Sequence, residues 1–414
     1  MNLIQLDRIE VENGNRVNCR YSIEGEWTKY FSGQRMSFVE YDVDISSVPT
    51  SVLSIPFVCN ILPVLWLCDG VMRADALDCE FLEHLPEIKE GYRQMYPMLS
   101  FGGRLETAAE RAVPTGRPGG SACFFSGGLD ATVTLLRHLE EKPALLTVWG
   151  ADIKLEDEAG WEHVREHVTS AAGAYGVAAH FVKSDFRSVL REDELGRLVT
   201  ASGDGWWHGF QHGIALIAHA ASLAFIYGWE KLYIASSFTA NAKGYTCASD
   251  PSIDNHVRFC GCQAVHDGYE MSRQDKAAYL VKRRREALRV CWESSGGKNC
   301  CRCEKCYRTI LELVSEGADP AEYGFTWNTA AIRRCRYDLL HRIQLPNYYA
   351  PEFYAPIQSR MRENRERVKD YEAYGWFLNY DLSRFNDTFG KRLRRTWLWT
   401  HLGGWVYDRL KKMR

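Results

Sequence analysis

The stretch ACFFSGGLDATVTLL, residues 122–136, runs an apolar strand into Ser-Gly-Gly and then resumes as an apolar helix. Two adjacent glycines suit neither a strand nor a helix interior, but they suit a tight turn where backbone must approach a ligand closely. In a strand–turn–helix, the amides of Gly127, Gly128 and Leu129 point into the turn, and the helix dipole adds partial positive charge. The Ser126 hydroxyl can donate one more hydrogen bond, and Asp130 in the first turn can orient the amides or hold Mg²⁺ beside phosphates. The plain alternative is a strand–helix turn with no ligand. Two other phosphate motifs are absent: SGGKNC lacks the earlier glycine of a P-loop, and GDGWWH lacks the third glycine of a dinucleotide fingerprint.

A second constellation is CWESSGGKNCCRCEKC, which spaces Cys291, Cys300, Cys303 and Cys306 as C-x8-C-x2-C-x2-C. Four thiolates at such intervals can close a tetrahedron around Zn²⁺ and leave no coordination position for water, a structural site. An iron–sulfur cluster and a redox dithiol remain open. Cys301 is left over.

These residues need a scaffold. From residue 122 onward short apolar strands alternate with helices: ACFF, ALLTVWG, AHFVKS and KLYIASS as strands, with LDATVTLLRHLEE, EDEAGWEHVREHVTSAAGAYG and the apolar GFQHGIALIAHAASLAFIYG as helices. Repeated β-α units predict an α/β fold with a parallel, Rossmann-like sheet, whose ligands sit at the carboxyl ends of the strands. That rim collects Ser126–Asp130, Trp149, Gly150, Asp152 and the Ser236–Ala240 segment with Ser237. Asp250 and Asp254 follow; a turn or cap role is the bland reading of each rim carboxylate. Residues 1–115 read as an N-terminal α+β domain: short strands, then a helical stretch over Ile61–Tyr96. The segment ERAVPTGRPGGSA reads as a linker. Residues 116–320 form the nucleotide-type domain with the cysteine cluster, RQDKAAYLVKRRREALRVC being a helix leading into it. Residues 321–414 form a helical C-terminal extension.

Composition excludes little. Net charge is −2, yet residues 331–414 hold 18 Lys and Arg against nine Asp and Glu, so an acidic body carries a basic tail. The tail, with Trp397, Trp399 and Trp405, predicts weak, salt-sensitive nucleic-acid binding at most, and packing against protein otherwise. Ser51–Cys68 lacks charge, but Pro56, Asn60 and Pro63 interrupt it, so it reads as buried core and no membrane span is expected. Fourteen cysteines without a basic-then-apolar N-terminal signal fit reduced thiols in the cytoplasm.

FFSGGLDATVTLL resembles the S-G-G-x-D-[ST]-[ST] loop of the PP-loop ATP pyrophosphatase superfamily, of the adenine nucleotide alpha-hydrolase-like fold. The resemblance implies that ATP is cleaved between its α and β phosphates, with Ser126, Gly127, Gly128, Leu129, Asp130 and Thr132 holding the pyrophosphate and Trp149 and Gly150 flanking the nucleotide. Ala131 stands where the family has Ser or Thr. The loop followed by C-x8-C-x2-C-x2-C resembles the 7-cyano-7-deazaguanine synthases, over about residues 122–313. This implies adenylation of a 7-carboxy-7-deazaguanine-like carboxylate and its transfer to an amine, giving an amide or nitrile, with ATP, Mg²⁺ and Zn²⁺. It also implies Lys276, on the lysine-bearing helix, and Arg308, after the last cysteine, as contacts to anionic groups. The acceptor is ammonia or a protein amine, and relatives of this architecture are linked to bacterial antiviral defence by joining deazaguanine to a protein.

Two segments depart from the family. GYTCASDPSIDNH keeps Gly244 and Tyr245 of the usual Gly-Tyr-Pro-Asp-Cys-Arg, and WWHGFQHG places His208 and His212 where Arg-Asn is usual. Each histidine reads either as a satisfied core residue or as a substrate contact, alongside Asp152, Ser237 and Asp250. The N-terminal domain offers a surface for a protein partner. Two other classes stay open: a PP-loop tRNA-modifying enzyme of thiolation or lysidine type, and a non-catalytic ATP-binding scaffold.

Overall fold

The computed structural model describes residues 2–240, 244–293, 296–345, 349–387 and 391. The chain divides into two compact units, residues 1–270 and 271–414, so the boundaries expected near 115 and 320 fall inside units.

The first unit is laid on one sheet. Its described strands are β1 (Leu3–Glu12), β2 (Arg16–Glu24), β3 (Met36–Tyr41), β4 (Val71–Asp78), β5 (Arg104–Glu110), β6 (Gly120–Phe124), β7 (Ala144–Trp149), β8 (Ala179–Ser184), β9 (Trp229–Ala235), β10 (Arg258–Phe259) and β11 (Cys262–Asp267). They lie in the order β10-β11-β9-β6-β7-β8-β3-β2-β1-β4-β5. From β11 through β9, β6 and β7 to β8 all neighbours are parallel, as the β-α alternation requires. The chain lays down β6, steps outward through β7 and β8, and returns to the other side of β6 for β9 and β11. The order therefore reverses between β6 and β9, and in open α/β sheets the crevice at that reversal is where ligands bind.

The N-terminal strands extend this sheet. Val39 of β3 pairs antiparallel with Ser184 of β8, and β1 and β2 continue the antiparallel run. Asp185 locks the seam: its carboxylate accepts from Ser37 Oγ at 2.7 Å and from the Phe38 amide at 2.8 Å. β4 then pairs parallel with β1, and β5 with β4. The helical stretch expected over Ile61–Tyr96 is interrupted by β4, because pairing of Val71 with Leu3 overrides local propensity. The uncharged run 51–68 forms helix Ile55–Leu67, buried from Ile55 through Trp66. Asn60 within it is satisfied: its amide donates to the Phe186 carbonyl at 2.9 Å and its oxygen accepts from Gln211 at 2.7 Å.

The second unit contains helices Arg273–Arg283, Glu304–Ser315, Thr329–His341 and Tyr349–Glu363. Ser272 and Asp275 form a reciprocal capping box on the first of these. That helix stops at Arg283, short of the length expected, because Arg284 turns to an extended backbone. Trp397, Trp399 and Trp405 lie outside the described residues.

Candidate functional site

The turn after β6 is held from both sides. The Phe125 amide donates to the Leu146 carbonyl at 2.9 Å, and Thr147 Oγ1 donates to the Phe125 carbonyl at 2.6 Å. Gly127 then takes φ 77°, the left-handed region that favours glycine. Gly128, extended, is the N-cap of helix Leu129–Arg137, and its amide donates to Ser126 Oγ at 3.4 Å. Ser126 and Asp130 are half-buried, whereas Thr132 is buried in the helix. The turn thus sits on the middle strand of the parallel part of the sheet, beside the crevice between β6 and β9, with a helix N-terminus facing the carboxyl edge.

The neighbouring loops differ in character. After β7, Trp149 stacks on Trp161 at 5.2 Å, with Lys183 over its ring at 4.4 Å. Gly150 has φ 105°, and a Cβ there would stand 1.9 Å from the Ser184 carbonyl oxygen, so only glycine fits against β8. Asp152 is exposed. After β9, Ser237 is exposed and Phe238 stacks on Tyr245 at 5.3 Å. Gly244 has φ 79°. Asp250 caps the short helix Pro251–Asp254, its carboxylate accepting from the Ser252 amide at 2.9 Å. Asp254 accepts from Ser249 Oγ and stands 2.8 Å from His266 Nδ1.

His208 and His212, four residues apart, are brought together on one residue that sequence reasoning passed over. Cys247, in the loop after β9, interacts with both imidazoles, and its neighbours are tied to the same group: Thr246 Oγ1 donates to Asp204 at 2.8 Å and the Ala248 amide to the His208 carbonyl at 2.8 Å. The helix expected as one regular run begins with a π-helical turn, Trp207–Gln211, before the α-helix His212–Ala218. Such a widened turn is a frequent mark of functional sites. His208 is oriented from behind: its Nδ1 lies 2.9 Å from Asp204 Oδ1. Asp204 is itself fixed, its Oδ2 accepting from Tyr96 at 3.0 Å and from Thr246 at 2.8 Å, its Oδ1 from the Gly205 amide at 2.9 Å.

Each histidine is followed by a glycine, and both glycines are required. A Cβ on Gly209 would stand 2.6 Å from the Tyr96 hydroxyl and 2.9 Å from the Asp204 carboxylate; one on Gly213 would stand 2.1 Å from the Ala248 carbonyl oxygen. The Ala248 amide also donates to the His208 carbonyl at 2.8 Å. The alternation of His and Gly in HGFQHG was the available signal, because it is poor helix sequence without a close-packed neighbour.

The electrostatics follow from this packing. Burial would push the Cys247 thiol up, but hydrogen bonds from His208 and His212 outweigh it and bring the thiol down to about 6. Burial alone pushes Cys59 well above the ordinary thiol value. Burial lowers His208, but the Asp204 and Cys247 hydrogen bonds raise it to about 10. His212 is also shifted up, by Cys247 and then by the charges of Asp152 and Asp254 against the opposing effect of burial. These shifts favour a Cys247 thiolate beside a protonated His208, the form in which cysteine is nucleophilic.

The remaining predicted residues lie in the second unit. Lys276 is buried in helix Arg273–Arg283. Arg308 is buried over the Phe353 ring at 3.9 Å and ion-paired with Glu304 at 3.3 Å. Cys291, Cys300, Cys303 and Cys306 have their sulfurs within 4.8 Å of one another and could hold a metal ion such as zinc. Sulfurs about 2.3 Å from zinc in a tetrahedron are about 3.8 Å apart. The Cys291–Cys303 and Cys300–Cys306 pairs stand at 3.8 and 4.0 Å. Amides of Arg302 and Cys303 donate to the Cys300 sulfur, and that of Cys306 to the Cys303 sulfur, which is the polar support thiolates need. Asn299 ties the knuckle to its base through the Val290 amide and the Leu288 carbonyl. Cys301 is turned away, its sulfur accepting from the Thr326 amide.

No family model matches the chain, and no curated protein and no solved structure matches it.

Proposed function

We propose that the chain is an ATP-dependent, AMP-forming ligase that adenylates a carboxylate of a 7-carboxy-7-deazaguanine-like substrate and transfers it to an amine. The single observation that carries this is the Ser126–Asp130 turn: a left-handed glycine, a glycine N-cap and a helix N-terminus on the middle strand of the parallel part of the sheet, at the crevice where strand order reverses. The carboxylate oxygen attacks the α-phosphorus of ATP, and pyrophosphate leaves. Amides of Gly127, Gly128 and Leu129 with Ser126 Oγ stabilise the charge that builds on it. Asp130, half-buried in the first helical turn, would hold Mg²⁺ beside the phosphates. The amine then attacks the acyl carbon and AMP departs, so the products are an amide, AMP and pyrophosphate. The four cysteines would hold Zn²⁺ with no open position, so the metal's contribution is to the stability of its unit and not to chemistry.

The supporting features on the same rim are an aromatic pair, Phe238 and Tyr245, suited to a planar heterocycle, and the Cys247 cluster. The test is mass spectrometry of products from ATP, 7-carboxy-7-deazaguanine and either ammonia or an amine-bearing protein, with pyrophosphate exchange into ATP measured in parallel. Exchange that depends on the acid and is lost in Asp130→Asn supports the reading. ATP cleavage that persists unchanged in Asp130→Asn and Ser126→Ala would end it.

A further inference from the structure

Cys247 is not needed for adenylation as set out above, yet it stands on the same carboxyl edge as the phosphate turn, in the loop that follows β9. Resting on the adenylation reading, we propose that Cys247 is a covalent nucleophile that takes the acyl group from the acyl adenylate as a thioester before the amine receives it. The arrangement has the parts such a step requires: a nucleophile hydrogen-bonded to an imidazole, and that imidazole oriented by a third group. Here they are Cys247, His208 and Asp204: Asp204 Oδ1 lies 2.9 Å from His208 Nδ1, and the residues on either side of Cys247 are bonded to that pair, Thr246 Oγ1 to Asp204 at 2.8 Å and the Ala248 amide to the His208 carbonyl at 2.8 Å. Asp204 acts through His208 and is a positioning residue. His212 adds a second imidazole, and its buried Nδ1 has no hydrogen-bond partner among the described residues.

Cys247 is 6% exposed, whereas the His208 side chain beside it is 42% exposed. Phe238 meets the His208 ring edge-on at 6.0 Å and stacks on Tyr245. The Phe238–Tyr245 pair offers a planar acyl group a surface to stack on beside His208. A metal role is disfavoured, because among the described residues the one group of three or more ligands close enough for an ion is the four cysteines of the second unit.

The step balances without an added oxidant or reductant. The Cys247 thiolate attacks the acyl carbon, the bond to the AMP oxygen breaks, and AMP leaves with the electron pair as a phosphate anion. His208, having lost its anionic partner, releases its proton to solvent. The amine then attacks the thioester, its proton passes to His208, and the carbon–sulfur bond breaks to restore the thiolate. The gain is one of timing: AMP departs before a bulky acceptor docks, and the acyl group is held on the enzyme instead of as a water-sensitive adenylate.

The experiment has two arms on the full chain. In the first, p-nitrophenyl acetate is added without ATP. The wild type should release a burst of about one p-nitrophenolate per chain, with the acetyl group mapped to the Cys247 peptide. Asp204→Asn should acylate with a pH profile displaced upward, which a merely structural change would not give. In the second arm, ATP and 7-carboxy-7-deazaguanine are supplied without amine. The wild type should carry the acyl mass on Cys247 after acid quench, removable by hydroxylamine. Cys247→Ala and Cys247→Ser should still exchange pyrophosphate into ATP while amide formation falls by roughly 10²-fold or more. Failure of the wild type to acylate at Cys247 in the first arm, or wild-type amide formation by either variant, overturns the proposal. Absence of pyrophosphate exchange in the wild type counts against the adenylation reading alone, because the first arm still decides the nucleophile.

Discussion

Gly213 faces the Ala248 carbonyl so closely that a Cβ would stand 2.1 Å from its oxygen. The loop carrying Cys247 is thereby pressed onto the helix that carries both histidines. That contact keeps Cys247 near the imidazoles, whose influence brings the thiol down against the opposing effect of burial. Alkylation of Cys247 by iodoacetamide should rise with pH through about 6, as the thiolate forms, and stay level above it. Gly213→Ala should displace the loop, loosen the imidazole hydrogen bonds and move the midpoint up toward the free-thiol value of about 8.5. The rate at pH 7 should then fall roughly tenfold or more. Peptide mapping of alkylated Cys247 across pH 5–9 checks this; an unmoved midpoint in Gly213→Ala would contradict it.

The phosphate turn makes a separable prediction. Asp130→Asn and Ser126→Ala should abolish pyrophosphate exchange with little change in melting temperature, because both lie at a turn and neither is fully buried. Gly127→Ala should do both kinds of damage: a side chain at φ 77° costs about 1–2 kcal/mol and rotates the amides out of the cradle. Calorimetry with exchange kinetics on the same three proteins distinguishes the two behaviours.

The purified chain should bind about one zinc through four thiolates. Replacing Cys291, Cys300, Cys303 or Cys306 by serine should release the metal and destabilise the second unit by on the order of several kcal/mol. Cys301→Ser should keep it, since that sulfur points to Thr326. Metal analysis with thermal melts before and after chelation is the measurement. Iron with visible absorbance would contradict the assignment.

His219 makes the fold acid-sensitive. It is fully buried, stands 2.7 Å from the Ala215 carbonyl through Nδ1, and is pushed down to about 4 by burial. Between its folded value and the unfolded value near 6.5 the unfolded chain binds more protons, so stability is intact above pH 6.5 and falls as pH drops toward 4. The loss should reach about 3 kcal/mol at pH 4. His219→Leu should flatten that part of the stability profile in urea titrations run from pH 7 to 4.

What the sequence made legible was local. The β6 turn, the four-cysteine spacing and the strand–helix alternation are each written in a few consecutive residues, and the parallel α/β sheet follows from them. What it concealed was pairing at a distance. Nothing in MSFVEY says that Val39 will meet Ser184, so the first hundred residues read as a separate domain instead of further strands of the same sheet. Cys247 was hidden for the same reason: its partners His208, His212 and Asp204 lie on another element, and an isolated cysteine in GYTCASD carries no signal. The π-helical turn that aligns the histidines was equally invisible, since periodicity distinguishes helix from strand and not one helical winding from another.

The antiparallel seam between β3 and β8 has a consequence for biosynthesis. As the chain leaves the ribosome, β1, β2 and β3 are complete long before β8 exists, and β3 presents an unsatisfied edge until Ser184 emerges. Helix Ile55–Leu67, buried along its length in the finished protein, is exposed over the same interval. The newborn N-terminal region therefore keeps an open strand edge and apolar surface until a strand encoded far downstream is made.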